Sequence, residues 1–374
     1  MVTRKPKKID FISASTLEAL FNSDVPCFFP VVKAQAPSGN TLLLFPEEAS
    51  PAIIAAHYAA PNPAPLGLAV IPDVLVSGRS FVGTENHIYL LNPMVPKWVD
   101  NFIDSRRRTD DTIFSEKIKK SAPPVSFLLT HWNSHAYGHW IQESFLQMLL
   151  LRRLRDLLPP FSILTPKITS IEVMRWAKLV LPDVPIAVFD EKTEYVHCEK
   201  LFMTTLLFSG SHSFHPLANE LIDEIRTMTN ARGPAAERSF ITRPTVGSVR
   251  RLSNQLEIET IAAERGLTLV APENLSIVDQ IKLFARSGVI VGEYGSGMHN
   301  TLFSTSRALV LCLNYMDICQ SRISQLRGYR VGYILPSHGK PVTWVEGAPL
   351  QEFHIDPVAF RRRLLNLEEI NDTS

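Results

Sequence analysis

Short apolar segments alternate with helical segments through the second half of the chain, and this alternation restricts the possible fold more than any other feature. The strand segments are residues 239–242, 267–270, 289–292 and 308–313. The helical segments between them are residues 254–265, 277–287 and 298–303. Strands that are apolar on both faces belong to parallel sheets covered by helices. The pattern predicts an α/β domain in which Gly266 and Gly288 close the first two helices.

The first half of the chain shows the same alternation less regularly. Its strand segments are residues 41–45, 66–71, 127–129, 162–165 and 186–189. Its helical segments are residues 137–157 and 170–180. Apolar residues at Ile141, Phe145 and Leu149 predict one packed face for the longer helix. We therefore expect a second α/β domain in this half.

A chain of 374 residues is longer than one hydrophobic core usually serves, so two domains are expected. The small and polar residues from 209 to 216 mark the boundary between them. We predict an N-terminal α/β domain at residues 1–215 and a C-terminal α/β domain at residues 216–335. We expect the final segment, residues 336–374, to cross back to the N-terminal domain.

Charge and cysteine content exclude several classes of function. The 38 Lys and Arg residues balance 37 Asp and Glu residues, so the net charge is too small to attract nucleic acid over the whole surface. No nucleic-acid partner is expected. The four cysteines are too widely spread for a disulfide or zinc framework. No apolar stretch reaches the ~20 residues that a membrane span requires. We expect a cytoplasmic protein without a membrane span, a location that allows peripheral association with the inner face of the membrane.

A glycine-rich segment at residues 292–300 is the strongest candidate for a binding site. It follows an apolar strand and leads into a predicted helix, so free amide groups and the helix dipole favour a phosphate there. Glycines at 295 and 297 let the backbone come close to a ligand. The alternative is a tight strand-to-helix turn that binds nothing.

Polar residues near the neighbouring strands suit the other parts of a nucleotide. Arg243, Arg250 and Arg251, with Asn254 beyond them, follow one strand, and forked guanidinium groups suit a diphosphate. Glu273 follows another strand, where a carboxylate could accept hydrogen bonds from a ribose. The alternative for both is an ordinary solvated loop.

A histidine-rich segment in the first half could supply a base. His139 and Glu143 are four residues apart on a predicted helix, which places the imidazole beside a carboxylate that can orient it. His131, His135 and His139 have a spacing that also permits zinc binding. Because Asn133 and Gly138 disfavour one continuous helix, no metal site is predicted, and a structural role for the first two histidines stays open.

Taken together, these segments resemble glycosyltransferase family 61, in its bacterial polysaccharide-assembly branch. The resemblance covers about residues 125–315 in order. The segments that carry it are Tyr137-Gly138-His139-Trp140 with Glu143, Arg243 with Arg250-Arg251 and Asn254, Pro272-Glu273-Asn274-Leu275-Ser276 with Gln280, and residues 292–300 with Leu302-Phe303.

The resemblance implies a GT-B-like fold, in which two Rossmann-like domains face each other across a cleft. It implies metal-independent transfer with inversion, with a nucleotide sugar, expected to be a UDP-sugar, as donor and no cofactor. The acceptor is expected to be a glycan or glycolipid bound by the N-terminal domain. The donor-binding set is Arg243, Arg250, Arg251, Asn254, Glu273, Gly295, Ser296, Gly297, His299 and Asn300. The catalytic pair is His139, which would deprotonate the acceptor, and Glu143, which would orient it. The acceptor-side residues are His135 and Tyr137.

The chain departs from the family pattern at one position of the glycine-rich segment. Where the family usually has His-Gly-Ala-Gly, this sequence has Tyr294-Gly295-Ser296-Gly297, which leaves His299 to replace the missing imidazole. We predict a glycosyltransferase that builds a capsule, exopolysaccharide or lipopolysaccharide. Two alternatives stay open, namely a non-catalytic nucleotide-sugar- or glycan-binding protein of the same fold and a zinc hydrolase.

Overall fold

The structure is a computed structural model that describes most of the chain. The described residues are 27–32, 43–44, 50–59, 66–78, 81–83, 117–129, 134–209, 213–231, 233, 235–243, 250–337 and 351–372.

Strands and helices alternate along the described residues. The strands are β1 (Cys27–Val32), β2 (Leu43–Leu44), β3 (Leu66–Ser77), β4 (Phe81–Gly83), β5 (Ile118–Ser121), β6 (Val125–Leu128), β7 (Ser162–Pro166), β8 (Ile186–Phe189), β9 (Glu194–Thr204), β10 (Phe208–Ser209), β11 (Ser213–Phe214), β12 (Glu237–Ile241), β13 (Arg250–Leu252), β14 (Thr268–Val270), β15 (Ser287–Glu293), β16 (Leu309–Leu313), β17 (Arg330–Ile334) and β18 (Gln351–Phe353). The α-helices of more than one turn are α1 (Pro51–Tyr58), α2 (Phe145–Leu154), α3 (Lys167–Val180), α4 (Leu217–Met228), α5 (Gln255–Glu264), α6 (Ile277–Arg286), α7 (Ile318–Arg327) and α8 (Pro357–Asp372).

The chain divides into two compact units, and both contain sheets of parallel strands, as predicted for an α/β protein. The first unit comprises Met1–Pro37 and Pro61–Leu221, and the second comprises Ser38–Ala60 and Ile222–Ser374. The domain limits drawn from the sequence stay predictions. In the second unit, α8 packs against α5.

The sheet of the first unit is mixed. Its main path runs β1-β3-β9-β6-β7-β8, and the pairs from β9 through β8 are parallel. The long strands β3 and β9 pair antiparallel over most of their length, and β1 pairs antiparallel with β3. Val74, Val76, Leu128 and Leu164 belong to one buried cluster on this sheet. The sequence predicted strands at β3, β6, β7 and β8, but not β9, which pairs parallel with β6 and antiparallel with β3.

A continuous helical run from Tyr137 to Leu157 follows β6, as the sequence predicted. It consists of an α-turn at Tyr137–His139, a π-helix at Trp140–Ser144, helix α2 and a 3-10 turn at Arg155–Leu157. The residues predicted for the packed face, Ile141, Phe145 and Leu149, are buried, but so is every other residue from 140 to 151. A helix that is buried on all sides has no polar face, so the spacing of its apolar residues does not show which side would face solvent.

The main sheet of the second unit is entirely parallel and runs β14-β12-β15-β16-β17-β2. The chain moves from β12 to β14 on one side and then returns past β12 to β15 on the other. The direction in which successive strands are added to the sheet therefore reverses between β12 and β15. In open α/β sheets, ligands bind at the carboxyl ends of the strands at such a reversal.

The two glycines predicted to close helices have different roles. Gly266 has φ +73° after α5, so the predicted left-handed helix end is confirmed. Gly288 lies inside β15 instead, and the prediction for it is wrong. A Cβ atom there would lie 2.2 Å from the carbonyl oxygen of Ala235, so glycine is needed for a close backbone approach.

Helix α1 packs on α7 through buried polar contacts in the second unit. The Arg322 guanidinium donates to the carbonyl oxygens of Ala56 and His57, both at 3.1 Å. His57 Nδ1 lies 2.6 Å from Ser321 Oγ, which in turn lies 2.6 Å from Tyr333 Oη. Burial lowers the pKa of His57, so protonation of this ring opposes the packing of α1.

None of the helices within the described ranges is both long and apolar enough to cross a membrane.

Candidate functional site

Two of the predicted binding segments lie at the strand reversal of the second unit. Arg243 follows β12 by two residues, and Gly295 follows β15 by two residues. Because β12 and β15 are parallel neighbours, both segments leave the sheet at the same carboxyl edge. We call residues 294–297 the glycine turn.

Arg243 lies directly against the glycine turn. Its Nη1 atom is 3.5 Å from the carbonyl oxygen of Tyr294. A Cβ atom added to Gly295 would lie 2.9 Å from Nη1 and 3.3 Å from Cζ of the same guanidinium. A side chain at position 295 would therefore displace the guanidinium. The structure thus brings together the basic residue and the glycine that the sequence assigned to one anion site.

The backbone that carries Arg243 is held by a polar network at the end of β12. Gln255 Nε2 donates to the carbonyl oxygen of Arg243 at 3.0 Å and to Glu259 Oε1 at 2.7 Å. Thr242 Oγ1 donates to the same carboxylate oxygen. These contacts fix the backbone from which the Arg243 side chain extends. Neither Gln255 nor Glu259 could be identified from the sequence, because polar residues on a predicted helix are usually ordinary surface residues.

The glycine turn leads into a 3-10 helix at Ser296–Phe303, which begins two residues before the predicted helix at residues 298–303. Ser296 is exposed and Gly297 is partly exposed, so the first amide groups of this helix lie near solvent. Asn300 is fully buried and donates from Nδ2 to the carbonyl oxygen of Gly297 at 3.2 Å. The same atom lies 3.4 Å from Gln280 Oε1. Asn300 therefore holds the shape of the turn.

Aromatic rings surround Tyr294, the residue that departs from the family pattern. The Tyr294 ring centroid lies 5.8 Å from that of His299 and 5.5 Å from that of Tyr315. Tyr294 and His299 are both 8% exposed. His299 thus lies beside Tyr294, at the position where the family pattern has a histidine, although burial leaves little of the His299 ring accessible to solvent.

The remaining predicted donor residues lie on other elements of the second unit. Arg250 and Arg251 belong to β13, which pairs parallel with β18, and their side chains fall outside the described part of the chain. Asn254 bonds the backbone of Ile355 through Nδ2 at 2.9 Å and Oδ1 at 3.3 Å. Glu273 is exposed on a 3-10 turn, Pro272–Asn274, just after β14.

The first unit contains the histidine–glutamate pair. His139 Nδ1 lies 3.1 Å from Glu143 Oε1, and the side chains are 42% and 1% exposed. Glu143 lies inside the π-helix Trp140–Ser144. Such turns insert one extra residue into a helix and are frequent at functional sites. The result is an imidazole that is open to solvent on one side and held by a buried carboxylate on the other.

Of the other two histidines of this segment, the structure describes His135 alone. His135 is exposed and Tyr137 is partly exposed, and His131 lies outside the described residues. Within the described ranges, no group of three or more His, Cys, Asp or Glu residues could hold a metal ion.

Residues 137–311 match the model of a protein family described as Glycosyltransferase 61. The match covers a little under half of the chain, from Tyr137 to the middle of β16. It includes the histidine–glutamate pair, Arg243, Glu273 and the glycine turn. It agrees with the family that the sequence motifs indicated, and it supports a glycosyltransferase. The comparison with curated proteins finds no match.

Proposed function

We propose that the protein is an inverting, metal-independent glycosyltransferase that moves a sugar from a nucleoside diphosphate to a hydroxyl group of a glycan acceptor. The observation that carries the proposal is the contact of Arg243 with the glycine turn at the strand reversal of the second unit. A guanidinium and the start of a helix that meet at one sheet edge suit the binding of a diphosphate.

The donor is expected to lie along this edge with its diphosphate at the glycine turn. Arg243 and the amide groups of Ser296 and Gly297 then face the phosphate oxygens. Glu273 follows β14, on the other side of β12, and there it can accept hydrogen bonds from the ribose. Asn254 and Asn300 support the surrounding loops through the contacts described above, and we assign them positioning roles.

The chemical step is a direct displacement at the anomeric carbon of the sugar. The acceptor oxygen forms the new bond while the bond to the diphosphate breaks, and the bond electrons leave with the phosphate oxygen. His139 accepts the proton of the acceptor hydroxyl on Nε2, while Nδ1–H donates to Glu143. Arg243 and the start of the 3-10 helix stabilise the charge on the departing diphosphate, a task that a divalent ion performs in other enzymes.

Turnover assays on the purified protein test this proposal. The protein is incubated with UDP-sugars in the presence and absence of EDTA, and released UDP is measured. We expect release that EDTA leaves unchanged and that the His139→Ala variant loses. Loss of activity on chelation would contradict the metal-independent mechanism, and retention of full activity by His139→Ala would contradict the assigned base.

A second candidate is a non-catalytic protein that binds nucleotide sugars through the same site. It is favoured by Tyr294, which replaces a histidine of the family pattern and is buried in contact with two other rings. Calorimetry separates the two candidates, since a binding protein would titrate with a UDP-sugar and release no UDP.

A further inference from the structure

Asn314 is a buried amide at the carboxyl edge of the second unit's sheet. It directly follows β16, has φ 84° and is 2% exposed. Its backbone N–H donates to the carbonyl oxygen of Ile334 at 2.9 Å. Among the described residues, neither Nδ2 nor Oδ1 of its side chain has a hydrogen-bond partner. Since burying an unpaired amide is costly, such a group in a folded protein calls for a specific explanation.

The position of Asn314 relates it to the glycine turn. Glu293, the last residue of β15, is in register with Leu313, the last residue of β16. The N–H of Tyr294 then donates to the carbonyl oxygen of Leu313 at 3.0 Å. Asn314 therefore leaves the sheet beside Tyr294, about one strand spacing of 4.8 Å away. Ser296 is exposed and Tyr315 is partly exposed, so this edge opens to solvent.

The order of the strands gives a direction to the donor. The diphosphate is assigned to the reversal between β12 and β15, and the ribose to Glu273 on the β14 side. In a nucleotide sugar, the nucleoside and the transferred sugar are attached to opposite ends of the diphosphate. The transferred sugar therefore extends towards β16, the strand that ends at Asn314.

We propose that the Asn314 amide forms hydrogen bonds with hydroxyl groups of the transferred sugar and contributes to the choice of sugar. This inference rests on the proposed function. A carboxamide donates through Nδ2 and accepts through Oδ1, which matches hydroxyl groups that do both. A buried polar group that pairs only with the correct substrate discriminates strongly against analogues that leave it unpaired.

The test compares binding of UDP with binding of a UDP-sugar, because only the latter contains the transferred sugar. Glycine tolerates positive φ, so Asn314→Gly removes the amide without straining the backbone. Asn230→Gly is the matched control, since Asn230 also has positive φ, 52°, but is exposed after α4. Calorimetry uses the UDP-sugar that the unaltered protein binds best among UDP-glucose, UDP-galactose, UDP-N-acetylglucosamine and UDP-xylose.

We expect Asn314→Gly to weaken binding of the UDP-sugar about tenfold and to change binding of UDP less than about twofold, with no change in the control. Equal weakening of both ligands, or no weakening of either, would overturn the role of Asn314 and leave the proposed function standing. Failure of the unaltered protein to bind UDP or any UDP-sugar would overturn the proposed function and this inference with it.

A second variant guards against a folding defect in the first. Asn314→Asp keeps the size of the side chain and tolerates positive φ, but it replaces the N–H donor with a carboxylate oxygen. The new charge acts on the diphosphate in both ligands, so the ratio of the two dissociation constants isolates the effect on the sugar. A ratio changed about fivefold or more supports the assignment, and an unchanged ratio contradicts it.

Discussion

Replacing Gly295 with alanine should separate Arg243 from the glycine turn without unfolding the second unit. The new Cβ atom would lie 2.9 Å from Arg243 Nη1, whereas unstrained contacts begin at about 3.5 Å. The guanidinium must therefore retreat by roughly 0.6 Å or more. Because the nearest atoms belong to the end of a flexible side chain, the free energy of unfolding should fall by less than about 1 kcal/mol.

The cost should appear in ligand binding instead. A hydrogen bond to a charged group contributes about 1.5–3 kcal/mol, and its strength depends steeply on geometry. If Arg243 holds the diphosphate, Gly295→Ala should weaken binding of UDP by about 10- to 100-fold. Titration calorimetry measures the affinity, and urea unfolding measures the stability. Gly233→Ala is the control, because nothing lies within 4 Å of a Cβ atom at that position.

A double-mutant cycle with Arg243→Gln tests whether the effect of the methyl group acts through the guanidinium. On that background, Gly295→Ala should weaken binding of UDP by less than about twofold, because the interaction is already lost. A full additional loss would show that the methyl group obstructs UDP directly. Unchanged binding of UDP by Gly295→Ala alone would refute the assignment of the diphosphate to this turn.

Three further predictions address other parts of the protein. The His139→Ala variant should lose about 10²- to 10⁴-fold in turnover, while its affinity for UDP changes less than about twofold. A loss of UDP affinity as large as the loss of turnover would count against a role of His139 in proton transfer. Gly288→Ala places a Cβ atom 2.2 Å from the Ala235 carbonyl oxygen, so the free energy of unfolding in urea should fall by about 1–3 kcal/mol. An unchanged free energy of unfolding would refute the need for glycine at this close backbone approach. Burial lowers the pKa of His57 below its ordinary 6.5, so the unfolded chain binds more protons than the folded chain below that pH. The free energy of unfolding should therefore fall as the pH drops below 6.5, by up to about 1.4 kcal/mol per pH unit. A His57→Gln variant with the same pH slope would contradict this.

The sequence predicted most of the parallel strands because each has its own apolar run, but it did not predict strand β17 or helices α7 and α8. The strand Ile186–Phe189 and the helical run from Tyr137 to Leu157 were predicted at the bounds observed. Strand β9 was missed because its burial alternates irregularly and its partner β3 lies more than 100 residues earlier. Antiparallel pairing over such a distance leaves no local signal.

The contacts within the candidate site were predictable where neighbouring residue types suggest one chemical role. Arg243, the glycine turn and the His139–Glu143 pair could be identified from residue type and spacing, and the structure brings each set together. The π-helix around Glu143 could not be predicted, because one extra residue in a buried helix changes no visible periodicity. Asn314 was also missed, since a single asparagine after a strand is typical of any turn.

The central claim is that the diphosphate of the donor binds at the glycine turn beside Arg243. A crystal structure of the protein with UDP tests it most directly. We expect phosphate oxygens at about 3 Å from the amide groups of Ser296 and Gly297 and from the Arg243 guanidinium. Ordered UDP bound elsewhere in the protein, with this edge of the sheet unoccupied, would contradict the claim.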